Sequence, residues 1–126
     1  MMKLGVDYGK KRIGLALGER IPRPFLVLEN ISEVGVLGKI ISICKEREVE
    51  KIIIGLPEAI DKESNTLISK IKKLRSDIEK SISAEIVYEP EAYSSVEAIH
   101  RLKQLGKYDQ NDKGQIDMES ATLLLE

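Results

Sequence analysis

The sequence holds one cysteine, one histidine, one phenylalanine and no tryptophan in 126 residues. A lone Cys44 excludes an internal disulfide and a thiolate metal cluster, and its expected place is buried on a helix. The lone His100 falls mid-helix, where an isolated histidine is usually a surface or boundary residue. An excess of positive charge is also missing: 20 Lys and Arg against 21 Asp and Glu leave a formal charge of −1. Nucleic-acid binding would therefore have to come from local patches, since the whole surface is not basic. Long apolar runs are absent; Lys51-IIIGLP and Thr122-LLL are too short to span a bilayer, and the N-terminus lacks a signal-peptide layout. A soluble, cytoplasmic protein with no membrane partner is expected. Repeats and low-complexity tracts are lacking too, and at this length a single domain over residues 1–126 is expected to bury its own core.

What is present is a clear alternation of elements. Residues 2–8 and 12–18 carry β-compatible apolar residues around a polar Gly9-KKR turn, which reads as an antiparallel hairpin. After the prolines of Ile21-PRP, Phe25-LVLE gives a third strand. Ser32 is placed to cap a helix carrying Leu37, Ile40, Ile41 and Cys44 and ending near Glu48. Val49-EKIIIGLP is a β-branched run of the kind buried on both faces, so the sheet is expected to be partly parallel. A helix over 62–80 follows, with Leu67, Ile71, Leu74 and Ile78 on one face. A fifth strand over Ala84-EIVYE comes next, then a helix capped by Ser94 or Ser95, carrying Ile99, Leu102 and Leu105 and stopped by Gly106. A polar loop leads to a last helix opened by Asp117. The order β-β-β-α-β-α-β-α-α predicts an α/β fold: a mixed five-stranded sheet, its first three strands an antiparallel meander, covered by helices on both faces. The first strand would be central, with Asp7 at its C-terminal end, where open α/β sheets place their ligands.

Asp7 interrupts an apolar strand, and a carboxylate there is costly unless it is paired, hydrogen-bonded or metal-bound. Glu89 and Glu91, after the fifth strand, and Asp117, at the last helix, fall where the topology could bring them to it. Oxygen-only ligands with no His or Cys suit Mg²⁺ or Mn²⁺, and such clusters commonly serve phosphodiester hydrolysis. Each acid also has a structural role open to it: Asp117 as an N-cap, Glu89 and Glu91 as loop charges.

Asp7-YGKKRIG, Gly55-LP, the Glu91-x-x-Ser-Ser segment and Lys113-GQIDMESA resemble the four marks of the YqgF/RuvX family, from Leu4 to Leu125. The resemblance implies an RNase H-like fold and a Holliday junction resolvase, or a nuclease maturing the 5′ end of the small-subunit ribosomal RNA precursor. It also implies an acidic triad of Asp7, Glu91 and Asp117. The chain departs from the pattern at Pro90-EAYSS, where the family usually has Asp-Glu-Arg before the paired hydroxyl residues. Lys10 replaces the common Thr, and Ala59-IDK keeps only the Asp of Asn-Met-Asp-Gly.

Lys10, Lys11 and Arg12 sit beside Asp7 at the hairpin tip, where cations hold a nucleic-acid backbone without reading sequence. Ser94 and Ser95 join them as phosphate contacts by the same resemblance, although helix capping is their first reading. Gly9 to Gly14 has P-loop spacing, but Leu15 stands where lysine is required. The expected activity is thus a Mg²⁺- or Mn²⁺-dependent endonuclease acting on branched DNA or precursor rRNA. The alternatives are a binding protein of the same fold with an impaired site and, last, a sugar-kinase-like ATPase, whose two-lobed cleft needs far more chain. A resolvase cutting a two-fold junction is expected to form a homodimer.

Overall fold

The computed structural model describes residues 1–90 and 94–126, with side chains for residues 1–90 and 96–126. Three strands come first, β1 (Met2–Tyr8), β2 (Arg12–Gly18) and β3 (Arg23–Glu29). Then α1 (Glu33–Glu46), β4 (Val49–Leu56), α2 (Lys62–Glu79), β5 (Glu85–Pro90), α3 (Ser94–Gln104) and α4 (Lys113–Leu125) follow. The strands form one sheet in the order β3-β2-β1-β4-β5. β1 runs antiparallel to β2 and parallel to β4, and β4 runs parallel to β5. The mixed sheet with a central β1 is the fold that the strand pattern predicts.

The two faces of the sheet differ in chemistry. On one, Leu4, Val6 and Tyr8 of β1 alternate inward with Ile13, Leu15 and Leu17 of β2 and with Ile52 and Ile54 of β4. They pack against Val36, Ile40 and Ile43 of α1 and Ile71, Leu74 and Ile78 of α2, forming the main core. Truncating Ile54, which is fully buried, to alanine should cost about 2–5 kcal/mol, read as a lower midpoint in denaturant titration. Cys44 also lies in this core; burial pushes its thiol up to about 11, so it stays protonated and inert.

The opposite face is built from small residues. Gly5, Gly14 and Ala16 leave room for α4, whose Ala121 and Leu125 pack on Ala16 and on Ile53 of β4. Without Cβ atoms in the way, the helix backbone rests almost directly on β1 and β2.

Several local features depart from the pattern expected of the sequence. The last helix begins at Lys113 with Asp112 as its N-cap, whose side chain accepts from the Gln115 N–H; Asp117 lies in its second turn. Asp112 takes the cap because the loop before it turns back on itself, Asp112 N–H donating to the Asp109 carbonyl. Glu89 lies within β5 and not after it. Ala98 and Leu102 of α3 are buried, while Leu105, one residue beyond its end, is exposed. Gly106, at φ +69°, ends that helix, and the next N–H, from Lys107, returns to the Leu102 carbonyl. Asp61 caps α2 in a reciprocal box with Ser64. The expected caps Ser94 and Ser95 have side chains outside the described residues. Among the described residues, no helix is long and apolar enough to cross a membrane.

Candidate active site

Asp7 stands one residue before the C-terminal end of β1, half-buried and directly opposite Gly14 of β2. Leu4, Val6 and Tyr8 point into the main core, so alternation puts Asp7 with Gly5 on the face that α4 covers. A Cβ added to Gly14 would collide with the Asp117 backbone carbonyl and come within 2.8 Å of the Met118 nitrogen. Helix α4 therefore crosses the sheet with Asp117 seated on the cross-strand partner of Asp7. Two of the three expected acids thus lie toward one end of one face, although they are 110 positions apart in sequence.

The Arg12 side chain occupies the same corner. Its Nε donates to Asp117 Oδ2 at 3.0 Å. Of the three cations at the hairpin tip, Arg12 is thus engaged inside the acid site, while Lys10 and Lys11 are exposed. Burial pushes the Asp117 carboxyl above its ordinary range, and the Arg12 guanidinium pulls it back only in part. A carboxylate with a raised folded-state pKa works against folding when charged. That penalty is absent below the unfolded-state pKa, near pH 4, and is fully present once the pH exceeds the folded-state value. In metal-free buffer, Asp117→Asn should melt at or above the parent temperature at pH 7, with the difference vanishing as the pH falls to about 4. A variant melting several degrees lower at pH 7 would mean that the Arg12 ion pair outweighs desolvation.

Glu91 lies outside the described residues. Glu89 is exposed, in register with Gly55 of β4, and shares the α4 face with Val87. It is two strands from Asp7, roughly 9–10 Å between strand axes. Among the described residues, no three Asp, Glu, His or Cys side chains gather closely enough to hold an ion. What is described is Asp7 near the end of the central strand, and the Asp117 backbone seated on its strand partner Gly14.

Two positioning elements are not evident in the sequence. Asn30 clamps the hairpin tip: its side-chain amide donates to the Gly9 carbonyl at 2.9 Å, and its backbone N–H donates to the Lys11 carbonyl at 2.9 Å. Its only signal is an Asn between a strand and a helix cap. The second is Arg101 of α3, whose Nε lies 3.0 Å from Oε1 of Glu119, a carboxylate only 7% exposed, and which also bridges to Glu126. This clamp ties α3 to α4 two residues, about half a turn, beyond Asp117. Arg101→Met should cost about 2–3 kcal/mol, because it strands a buried carboxylate while the lost guanidinium is itself partly exposed. Adding Glu119→Leu should recover most of that loss, measured by denaturant unfolding. Close by, Ser120 Oγ is buried and has no hydrogen-bond partner among the described residues.

This architecture, a five-stranded mixed sheet with an acid on its central strand and a helix seated across the hairpin beside it, is RNase H-like, the framework of a class of nucleases. The RuvX family, described as Holliday junction resolvase, matches residues 1–126, and the chain belongs to it. A relative from Maridesulfovibrio salexigens that carries the provisional name pre-16S rRNA nuclease is 28% identical, the match covering 100% of this chain and 96% of the relative. Another with the same name, from Crocosphaera subtropica, is 33% identical over 98% of this chain and 88% of its own. Among solved structures, Thermus thermophilus RuvC in complex with a Holliday junction superposes with a TM-score of 0.63. The match covers 98% of this chain and 91% of that one, and at 13% identity the likeness is one of fold.

Proposed function

We propose that residues 1–126 form one cytoplasmic nuclease domain that hydrolyses phosphodiester bonds of structured nucleic acid, branched DNA or precursor rRNA, with Asp7, Glu91 and Asp117 holding Mg²⁺ or Mn²⁺. The observation that carries this reading is the seating of Asp117 on Gly14, the strand partner of Asp7. The donor set fits a hard divalent cation, since Asp7 and Asp117 offer carboxylate oxygens and Asp117 is half-buried. When bound, the ion supplies Lewis-acid activation of the scissile phosphate and of water. Asp7 fixes one ligand position from a rigid central strand, and Asp117 fixes a second from a helix wedged against the sheet. Arg12 neutralises Asp117 while the acids carry no ion, which keeps the corner folded. Lys10 and Lys11, held at the tip by Asn30, contact the phosphate backbone, with Ser94 and Ser95 assigned to the same role. Two such sites, in a homodimer, would serve a two-fold junction.

The test is cleavage of a four-way DNA junction and of a 5′-extended small-subunit rRNA precursor, each with and without Mn²⁺. Metal-dependent products from either substrate are expected, and the substrate that is cut assigns the activity. A metal-induced rise in melting temperature with neither substrate cut would overturn hydrolysis. It would favour a binding role, which Pro90 and Ala92, flanking Glu91 where the family usually has Asp and Arg, would then explain.

A further inference from the structure

A second feature lies across the sheet edge from the acids. A cleft of about 410 Å³ opens between the hairpin tip and the first half of α2, lined by Lys10, Lys62, Thr66, Leu67 and Lys70, with Glu63 the one acid among the described residues that line it. The cations of α2 and of its C-cap, Lys80, fall into two groups. Lys73, Arg75 and Lys80 are tied to Glu33, Asp77 and Glu79. Lys62, Lys70 and Lys72, like Lys10, have no carboxylate partner among the described residues, and of these Lys10, Lys62 and Lys70 line the cleft.

We infer that this cleft is a second phosphate-backbone site, which takes the nucleic acid as it passes over the hairpin tip away from the acids. The inference rests on the nuclease reading and names surface that the acid site does not include. Lys62, Thr66 and Lys70 stand at four-residue spacing, one stripe of the helix, with Lys62 and Lys70 about 12 Å apart along its axis. That distance matches three to four nucleotide rises of roughly 3.4 Å along one strand. Lys10 belongs to both the tip and the cleft, so a backbone held there continues directly from the acid corner. The contrast with the cleft at the other end of the sheet supports an anionic occupant here: Glu19, Glu48 and Glu50 line that one against a single side-chain cation, Arg47. The charge of −1 is an average over unlike ends. An open groove whose walls are lysine stems and Leu67 and whose charged heads are ammonium groups suits a phosphate chain, which such groups hold as point charges without reading sequence.

The experiment compares the full chain with a K62A/K70A variant, binding a labelled four-way DNA junction and, separately, an RNA hairpin with a single-stranded 5′ extension, across a salt series. Neither lysine has a partner in the described fold, so the variant should melt as the parent does. Its plot of log K against log salt should be shallower by about two contacts, with affinity reduced about tenfold or more at low salt. A shallower slope for only one probe would assign the cleft to that nucleic acid. An unchanged slope for both, with the parent binding normally, would overturn the cleft and leave the acid site standing. Failure of the parent to bind either probe would overturn both readings. A changed oligomeric state of the free variant, seen by sedimentation, would make the α2 face a protein contact and overturn the inference.

Discussion

Asp7→Asn should lower metal-dependent cleavage by about 10²–10³-fold or more, the scale on which removing one charge-stabilising group acts. It should also abolish the rise in melting temperature that Mn²⁺ gives the parent protein, since an ion stabilises only by preferring the folded state. Asn fills the same volume on the same strand, so the metal-free fold should be retained, with an unchanged far-UV spectrum. The two readouts separate chemistry from folding. Lost cleavage with an intact metal response would make Asp7 a contributor to substrate placement and not a ligand.

Gly14→Val should have the largest structural effect of any single change at the site. A branched side chain there meets the Asp117 carbonyl and the Met118 nitrogen, and neither backbone group can swing aside as a flexible side chain can. Helix α4 must lift, which separates Ala121 and Leu125 from Ala16 and Ile53 and carries Asp117 away from Asp7. Overpacking of this kind costs about 1–3 kcal/mol or more, roughly a 5–15 °C loss in a domain of this size. The metal response should disappear with it. Gly14→Ala should fall between the two, and a fully stable, metal-responsive Gly14→Val protein would refute the close seating of α4.

The fold is legible in the sequence because its signals are local. The β-branched run from Val49 to Leu56 and the Ser32 cap each mark their element within a few residues, and so does the 62–78 apolar stripe. Asp7 is visible for the same reason, as a charge inside an apolar strand. The partnership around Asp7 is not local. Arg12 and Asp117 meet across 105 positions, and the small-residue face of Gly5, Gly14 and Ala16 acquires meaning only once α4 is known to lie on it. The start of α4 shows the limit of local reasoning. Asp112 and Asp117 are both good caps, and what selects Asp112 is the turn formed with Asp109, which frees Asp117 to face the sheet. Charge is likewise misleading when summed: one helix, α2, carries both self-neutralised cations and the unpaired lysines of a cleft.

The most direct test of the central account is a crystal grown or soaked with Mn²⁺ and measured for anomalous scattering. The account predicts a manganese peak at the C-terminal end of β1, within about 2.0–2.3 Å of carboxylate oxygens from both Asp7 and Asp117, with Arg12 displaced from Asp117. A peak bound elsewhere, or a corner where the Arg12–Asp117 pair persists at saturating Mn²⁺, would contradict it.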